Sequence, residues 1–150
     1  MKQLLGLIVC IGLIHACNNE TKKEETVVKE ASHEQAHEER LTLNDGAKWN
    51  SDESTNQNVA SMQQIISAFK KNEAVSIENY VSVANELQSG LDKMIKECRM
   101  KGADHDALHL WLEPLIKDVK ELKKANDAGT ASNVFGKIEK QVLIYNNYFE

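Results

Sequence analysis

The chain has 150 residues, with 18 basic and 23 acidic side chains, and its formal net charge is −5 at pH 7. A net acidic chain repels the phosphate backbone of nucleic acids, so the composition argues against a nucleic-acid partner. A domain of about 100 residues can bury one modest hydrophobic core without disulfides or structural metals. The three cysteines, at positions 10, 17 and 98, therefore each need a separate explanation.

Residues 1–16 have the pattern of a bacterial signal peptide. Lys2 gives a positive start, and residues 4–14 form an apolar run that is broken only by two glycines. This run is too short to span a bilayer as a permanent helix. Residues 14–17, Ile-His-Ala-Cys, resemble the lipobox of bacterial lipoproteins. The resemblance implies cleavage before Cys17 and acylation of that cysteine, and the alternative is an ordinary secretory signal that ends near a cysteine by chance.

Cleavage at this position changes how the cysteines are interpreted. Cys10 would leave with the signal peptide and Cys17 would carry the lipid, so Cys98 would be the only thiol of the mature chain. Several acyl chains on one terminus anchor a protein more firmly than a single myristoyl group does. No internal disulfide is then possible, and an unpaired thiol in an oxidising compartment suggests a specific role.

Residues 17–40 are predicted to be a charged tether between the anchor and the folded domain. Val27 and Val28 are its main apolar residues, and such a segment cannot bury enough surface to fold alone. The acidic residues soon after Cys17 are similar to export signals of Bacteroidota lipoproteins. That similarity implies a location at the outer membrane, facing either the periplasm or the cell surface.

The tether contains a metal-binding pattern at residues 33–37, His-Glu-Gln-Ala-His. Histidines at i and i+4 share a helix face and can bind Zn²⁺ while the glutamate activates a water, as in zinc metalloproteases. A catalytic zinc also needs a third ligand and a surrounding domain that excludes bulk water, and the flanking residues here are charged. We therefore interpret the motif as a polar spacer, with adventitious metal capture by His33 and His37 as the alternative.

Residues 41–50 predict a short β-hairpin, because apolar residues alternate on both sides of an Asn-Asp-Gly turn. Gly46 is expected to supply the positive φ of that turn. Two strands alone are marginally stable, so Leu41, Leu43 and Trp49 are expected to pack on the helices as a lid.

The order of lipobox, charged tether and Leu-Asn-Asp-Gly-x-x-Trp at residues 43–49 resembles small Bacteroidota lipoproteins of uncharacterised function. The similarity extends to residues 97–102 and 105–109 in the helical region. That family carries no assigned activity, so the resemblance implies a compartment and domain boundaries but no chemistry.

Residues 51–150 predict an all-α domain, an antiparallel four-helix bundle with short connections. Its apolar residues recur at steps of three and four, the period of a helix. The stripes are Val59, Met62, Ile66 and Phe69; Ile77, Tyr80, Ala84, Leu87, Leu91, Met94 and Cys98; Leu108, Leu112, Leu115, Val119 and Leu122; and Val134, Ile138, Val142, Tyr145 and Phe149.

The expected helix ends follow from capping residues and breakers. The first helix spans about 53–72, and the second begins after Ser76 and ends near Lys101, just before Gly102. Asp104 is expected to cap a third helix that reaches about residue 124 and that Pro114 kinks. Ser132 is expected to open the fourth.

Enzymatic activity has little support in the sequence, and we expect none. It contains no Gly-rich phosphate loop, no nucleophile elbow and no pair of carboxylates within an apolar face. Cys98 is a poor candidate nucleophile, because the dipole at a helix C-terminus opposes a thiolate.

The candidate site is a corner between the second and third helices. In antiparallel neighbours, the end of one helix and the start of the next lie at the same level, which brings together five potential ligands: Met94, Cys98, Met100, His105 and His109. Thiolate, thioether and imidazole groups together suit Cu(I), with Zn²⁺ as a second choice. Non-covalent haem held by methionine and histidine is a further option, since no Cys-x-x-Cys-His attachment motif is present.

Ordinary packing could explain the same residues, because buried cysteines and methionines are common in helical cores. Two functions therefore remain open at the level of sequence. One is a metal-binding lipoprotein that acts as a copper chaperone or buffer. The other is a structural lipoprotein that docks to a protein of the cell envelope and binds no metal.

Overall fold

The computed structural model describes residues 40–72 and 75–150. The predicted signal peptide, the lipidation site Cys17 and the tether as far as residue 39 lie outside the described residues. In these two stretches, no helix combines the length and the apolar composition that crossing a membrane requires.

Apolar stripes of helical period fold into helices, and the all-α class is confirmed. The helices are α1 (Glu53–Phe69), α2 (Ile77–Glu97), α3 (Ala103–Leu122), α4 (Ala128–Leu143) and the single-turn α5 (Tyr145–Tyr148). Residues 40–72 and 75–150 contain isolated β-bridges but no β-strand.

The four long helices share one hydrophobic core. α1 packs against α2 and α4, and α3 packs against α2 and α4. Every apolar residue predicted for the first, third and fourth stripes is buried, and in the second stripe only Ile77 and Cys98, at its two ends, are partly exposed. Periodicity therefore located the core face of each helix correctly.

Trp111 is a central core residue that the predicted stripes omit. Its side chain is fully buried, and its indole N–H donates to the carbonyl oxygen of Gln141 at 2.8 Å. The side-chain amide of Gln141 donates in return to the Trp111 carbonyl oxygen at 2.7 Å. Because these two bonds satisfy polar groups inside the α3–α4 contact, a large indole can be buried there without an unpaired donor.

Two helix starts differ from the predicted caps. Gly102, with a φ of 65°, precedes α3, and the carboxylate of Asp104 instead accepts a hydrogen bond from the backbone N–H of Asn50 at 3.0 Å. α4 begins after Asp127, whose side chain accepts from the Thr130 N–H, so Ser132 lies inside the helix. Asp127 already caps the first turn of α4, five residues before Ser132. The helix therefore continues through Ser132 without a second cap.

α2 ends at Glu97, earlier than the predicted end near Lys101. Cys98 leaves the helical conformation, with φ −56° and ψ 131°. The next backbone N–H, that of Arg99, donates to the carboxylate of Asp52 at 2.6 Å. This tertiary hydrogen bond engages a backbone donor that a longer helix would have used internally, so α2 stops one residue before the candidate ligand Cys98.

The predicted hairpin is reduced to its turn. Asn44 and Ala47 exchange two backbone hydrogen bonds of 2.9 Å, and Asp45 and Gly46 have φ of 50° and 91°, the positive values typical of a type I′ turn. The expected positive φ at Gly46 is confirmed, but the ladder does not extend beyond this single bridge.

The apolar residues beside this turn behave differently from one another. Leu41 and Trp49 pack against the core as expected, whereas Leu43 is 40% exposed and does not form part of a lid. Trp49 pairs with the last residues of the chain instead of a hairpin strand: its N–H donates to the Tyr148 carbonyl at 2.8 Å, and its carbonyl accepts from the Glu150 N–H at 3.0 Å. This pairing leaves Leu43 without a partner strand.

Asp52 joins three parts of the chain at one end of the helices. As the N-cap of α1, its Oδ1 accepts from the Thr55 N–H at 2.7 Å, while its Oδ2 accepts from Arg99. Ser54 Oγ lies 2.9 Å from Asp52 Oδ1 and 3.1 Å from the Glu97 carbonyl oxygen. Burial alone would raise the pKa of Asp52, but the hydrogen bonds from Arg99 and Thr55 outweigh it and lower the pKa to about 2.

Replacing Asp52 with Ala should lower the free energy of unfolding by about 2–4 kcal/mol, because it removes both a helix cap and a charge-assisted bond to Arg99. The matched control is Ser76→Ala, which removes the cap of α2 and should cost only about 1 kcal/mol. Urea unfolding measures both values.

The loss of stability caused by Asp52→Ala should also depend on pH, and it should be smaller in acid. The pKa of Asp52 falls from 3.8 to about 2 on folding, so its charge stabilises the fold fully above pH 4 and this stabilisation is lost as the pH falls through 2. The difference in the free energy of unfolding between wild type and Asp52→Ala should therefore decrease in acid. Equal costs for Asp52→Ala and Ser76→Ala at neutral pH would contradict the linking role of Asp52.

Candidate functional site

The candidate site is a small cleft where the end of α2 meets the start of α3. Its volume is about 70 Å³, and we call it the α2–α3 cleft. The early end of α2 and the positive φ of Gly102 turn the chain sharply between the two helices. The lining residues are Met94, Ile95, Cys98, His105, Leu108, His109 and Leu112.

The structure brings four of the five predicted ligands to this cleft. Met94, Cys98, His105 and His109 all line it. Met94 is fully buried, Cys98 and His105 are partly exposed, and the side chain of His109 is 51% exposed. The sulfur-bearing side chains of Met94 and Cys98 therefore lie deeper than the imidazole of His109.

Met100, the fifth predicted ligand, does not line the cleft. Its sulfur accepts a hydrogen bond from the Ser51 hydroxyl at 3.6 Å. Because the chain is no longer helical after Glu97, Met100 does not follow the direction that helical spacing would have given it. Met100 is therefore not a candidate ligand at this cleft.

The two histidines lie one turn apart on α3. Their ring centroids are 4.6 Å apart and the ring planes are perpendicular. His109 Nδ1 also lies 3.8 Å from a carboxylate oxygen of Glu113 on the next turn. A carboxylate near the outer nitrogen of an imidazole can orient the ring toward a ligand on its other side.

The potential ligands line one cleft but do not meet at a single point. In the described part of the chain, no three His, Cys, Asp or Glu side chains lie close enough together to hold a metal ion, and Cys98 forms no disulfide there. The surrounding walls, Ile95, Leu108 and Leu112, are apolar. The cleft thus offers sulfur and nitrogen donors in an apolar setting and no carboxylate among its lining residues, an arrangement that favours soft over hard cations.

A partly buried hydrogen-bond network around Tyr145 was not anticipated from the sequence. Tyr145 Oη lies 2.7 Å from Ser51 Oγ and 2.9 Å from Asn56 Oδ1, and it donates its single proton to one of them. Burial raises the pKa of Tyr145 to about 12, with smaller contributions from Asp52 and Cys98. The sequence marks Tyr145 only as an apolar stripe residue, and nothing local reveals its partners, which lie about 90 positions away.

No protein-family model, curated protein or solved structure matches the chain.

The burial differences within the cleft predict different effects on stability. Met94→Ala should lower the free energy of unfolding by about 2–5 kcal/mol, because it leaves a cavity in the core. His109→Ala should change it by no more than about 0.5 kcal/mol, since half of the ring is in solvent. Urea unfolding measures both values. A large decrease in the free energy of unfolding for His109→Ala would show that the imidazole contributes to packing and is not available to bind a ligand.

Proposed function

We propose that the chain is a non-enzymatic, lipid-anchored protein of the bacterial cell envelope whose helical domain binds a soft metal ion, Cu(I), in the α2–α3 cleft. The observation that carries this proposal is that Met94, Cys98, His105 and His109 all line one cleft. Thiolate, thioether and imidazole donors are the ligands that soft ions select.

Cu(I) fits the geometry better than the other candidates do. It accepts low coordination numbers, so Cys98 with one or two of the remaining donors completes a site without a preformed cage of three ligands. Zn²⁺ is the second choice, because it normally takes four ligands in a tetrahedral arrangement. Haem is disfavoured, since organic ligands usually occupy pockets of about 300–1,000 Å³ and the α2–α3 cleft measures about 70 Å³.

Metal binding would require the side chains to rearrange. His105 and His109 contact each other edge to face and are partly or largely exposed, so rotation of either ring disturbs little of the core. Cys98 lies just outside α2, and its backbone N–H still donates to the Met94 carbonyl oxygen at 2.9 Å, so only its side chain would need to turn. The buried sulfur of Met94 would stay in place while the outer donors move toward the ion.

The proposal includes an antiparallel, up-down-up-down arrangement of the four long helices. At one end of α1, Ser54 Oγ lies 3.1 Å from the carbonyl oxygen of Glu97, the last residue of α2. At its other end, the ring centroids of Phe69 and Tyr80 are 5.1 Å apart, and Tyr80 belongs to the first turn of α2. These contacts support opposite directions for α1 and α2.

Anchoring is proposed from the lipobox-like residues 14–17 and the charged segment that follows them. Acylated Cys17 would hold the domain at a bilayer, and the resemblance to Bacteroidota lipoproteins favours the outer membrane. Several acyl chains on one residue suffice for stable attachment.

A second candidate function is a structural lipoprotein that docks to an envelope partner without a metal. Two large apolar side chains support it, Ile95 at 55% exposure and Leu143 at 54%. They belong to different helices, however, and isolated exposed apolar residues are common on soluble domains. The metal-binding proposal uses more of the observed geometry.

Replacing Cys17 with Ala should abolish fatty acylation and membrane association in a bacterial host, because no acceptor thiol remains at the lipobox. Metabolic labelling with a fatty acid and detergent partitioning measure the two outcomes. Cys10→Ala is the control, since it changes a cysteine within the proposed signal peptide and should leave labelling intact. Unchanged labelling of Cys17→Ala would refute the anchor.

Reduced full-length protein should take up about one Cu(I) per chain in competition with a chromophoric chelator. Cys98→Ser and His105→Ala should each weaken binding by at least ~10-fold, or about 1.4 kcal/mol. Met94→Leu should also weaken binding while preserving core volume, since it replaces the thioether with a hydrocarbon of similar size.

Two controls separate this site from other donors in the chain. Met100→Leu should leave the affinity unchanged, because the Met100 sulfur contacts Ser51 outside the cleft. The double variant His33→Ala/His37→Ala should also bind normally, which distinguishes the cleft from metal capture by the tether. Full affinity after Cys98→Ser would exclude the cleft as a Cu(I) site and favour the docking function.

A further inference from the structure

We infer that the α2–α3 cleft transfers its metal ion to an acceptor protein by direct ligand exchange and does not store it. This inference rests on the proposed function and chooses between a carrier and a buffer. The acceptor is defined by its chemistry as a protein with an accessible thiolate, thioether or imidazole that can bind Cu(I).

The first support is the order of exposure among the ligands. Met94 at the bottom of the cleft is fully buried, Cys98 and His105 are intermediate, and the outer side chain, that of His109, is 51% exposed. An incoming donor can therefore reach the ion from the His109 side while the inner sulfur ligands still hold it. A storage site would be expected to enclose its ion, as closed structural metal sites do.

The second support is the surface beside the mouth of the cleft. Ile95 lines the cleft and is 55% exposed, so it presents an apolar contact directly next to the proposed exchange route. Lys96 and Arg99 beside it are also exposed, and the exposed carboxylate of Glu113 lies beside His109. An apolar residue with charged neighbours of both signs is complementary to an acceptor that has an apolar contact and a charged rim.

The third support is that the fold does not need to open for exchange. The His105–His109 pair lies on the first two turns of α3, whereas the core-facing residues of that helix, such as Trp111 and Leu115, are fully buried. Movement of the outer ring therefore leaves the packing of α3 intact. Release by local unfolding would instead have to disturb residues such as Met94.

The transfer involves no redox change. Donor groups of the acceptor would replace the protein's own donors one at a time, so that each new bond to Cu(I) forms as one existing bond breaks. His109 would be displaced first because it is the most exposed, and the more deeply placed His105, Met94 and Cys98 would follow. No electron is gained or lost, so no oxidant or reductant is needed.

The test is the rate at which Cu(I)-loaded full-length protein gives up its ion to a water-soluble chromophoric Cu(I) chelator in stopped flow. Direct exchange predicts a rate that rises in proportion to chelator concentration. Ile95→Trp should reduce this rate by a larger factor than it changes the equilibrium affinity, which is measured on the same variant, because the indole crowds the mouth of the cleft and removes no ligand. Leu143→Trp is the matched control, since Leu143 is equally exposed but does not line the cleft, and its rate should equal that of wild type.

The possible results distinguish the inference from the proposed function. Stoichiometric binding with a rate that does not depend on chelator concentration would overturn direct exchange and leave the protein as a metal store. An Ile95→Trp rate equal to that of Leu143→Trp would overturn the route through the mouth. Absence of Cu(I) binding in the wild type would defeat the proposed function itself.

Discussion

The carboxylate of Asp52 is the constraint on which the candidate site depends. It caps α1 through the Thr55 N–H and, through its second oxygen, holds the backbone N–H of Arg99 at 2.6 Å. Arg99 directly follows Cys98, so this bond fixes the point where the chain leaves α2. Had α2 continued, Cys98 would have been held as an ordinary helical seam residue, and the chain would have turned toward α3 at a later position. A capping interaction in one helix thereby positions a potential ligand at the end of another.

Local patterns in the sequence predict the parts of this fold that local physics controls. The apolar stripes follow from the helical period, and positive φ at Gly46 follows from the Asn-Asp-Gly turn, because neighbouring residues decide both. The end of α2 and the exposure of Leu43 escape prediction, since they depend on Asp52 and on the Trp49–Tyr148 pairing, which join distant positions. Asp127 and Ser132 are both acceptable caps, and sequence alone offers no reason to prefer the first.

The same division explains which of the predicted residues lie in one cleft and which does not. Met94, His105 and His109 lie within helices. The helical period determines which face each one occupies, and the end of α2 lies at the same height as the start of α3, so the three residues can be predicted to line one cleft. Cys98 keeps its predicted place because it is only one residue beyond α2. Met100 lies three residues beyond that end, where the Ser51 hydroxyl and not helical geometry determines its surroundings. The hydroxyl network of Tyr145 could not be predicted, since its partners Ser51 and Asn56 come from the other end of the described chain.

The fold also bears on how a metal ion would be coupled to stability. A thioether is apolar enough to be buried without a hydrogen-bond partner, so Met94 serves the core whether or not an ion is present. The core as a whole consists of apolar side chains from all four long helices and needs no ion to be complete, unlike small metal-dependent domains in which binding drives folding. A ligand that binds only the folded state still adds stability by mass action, but here its loss would leave the packing unchanged. Under the proposed function, a domain whose core needs no ion would remain folded after releasing one, as a carrier must.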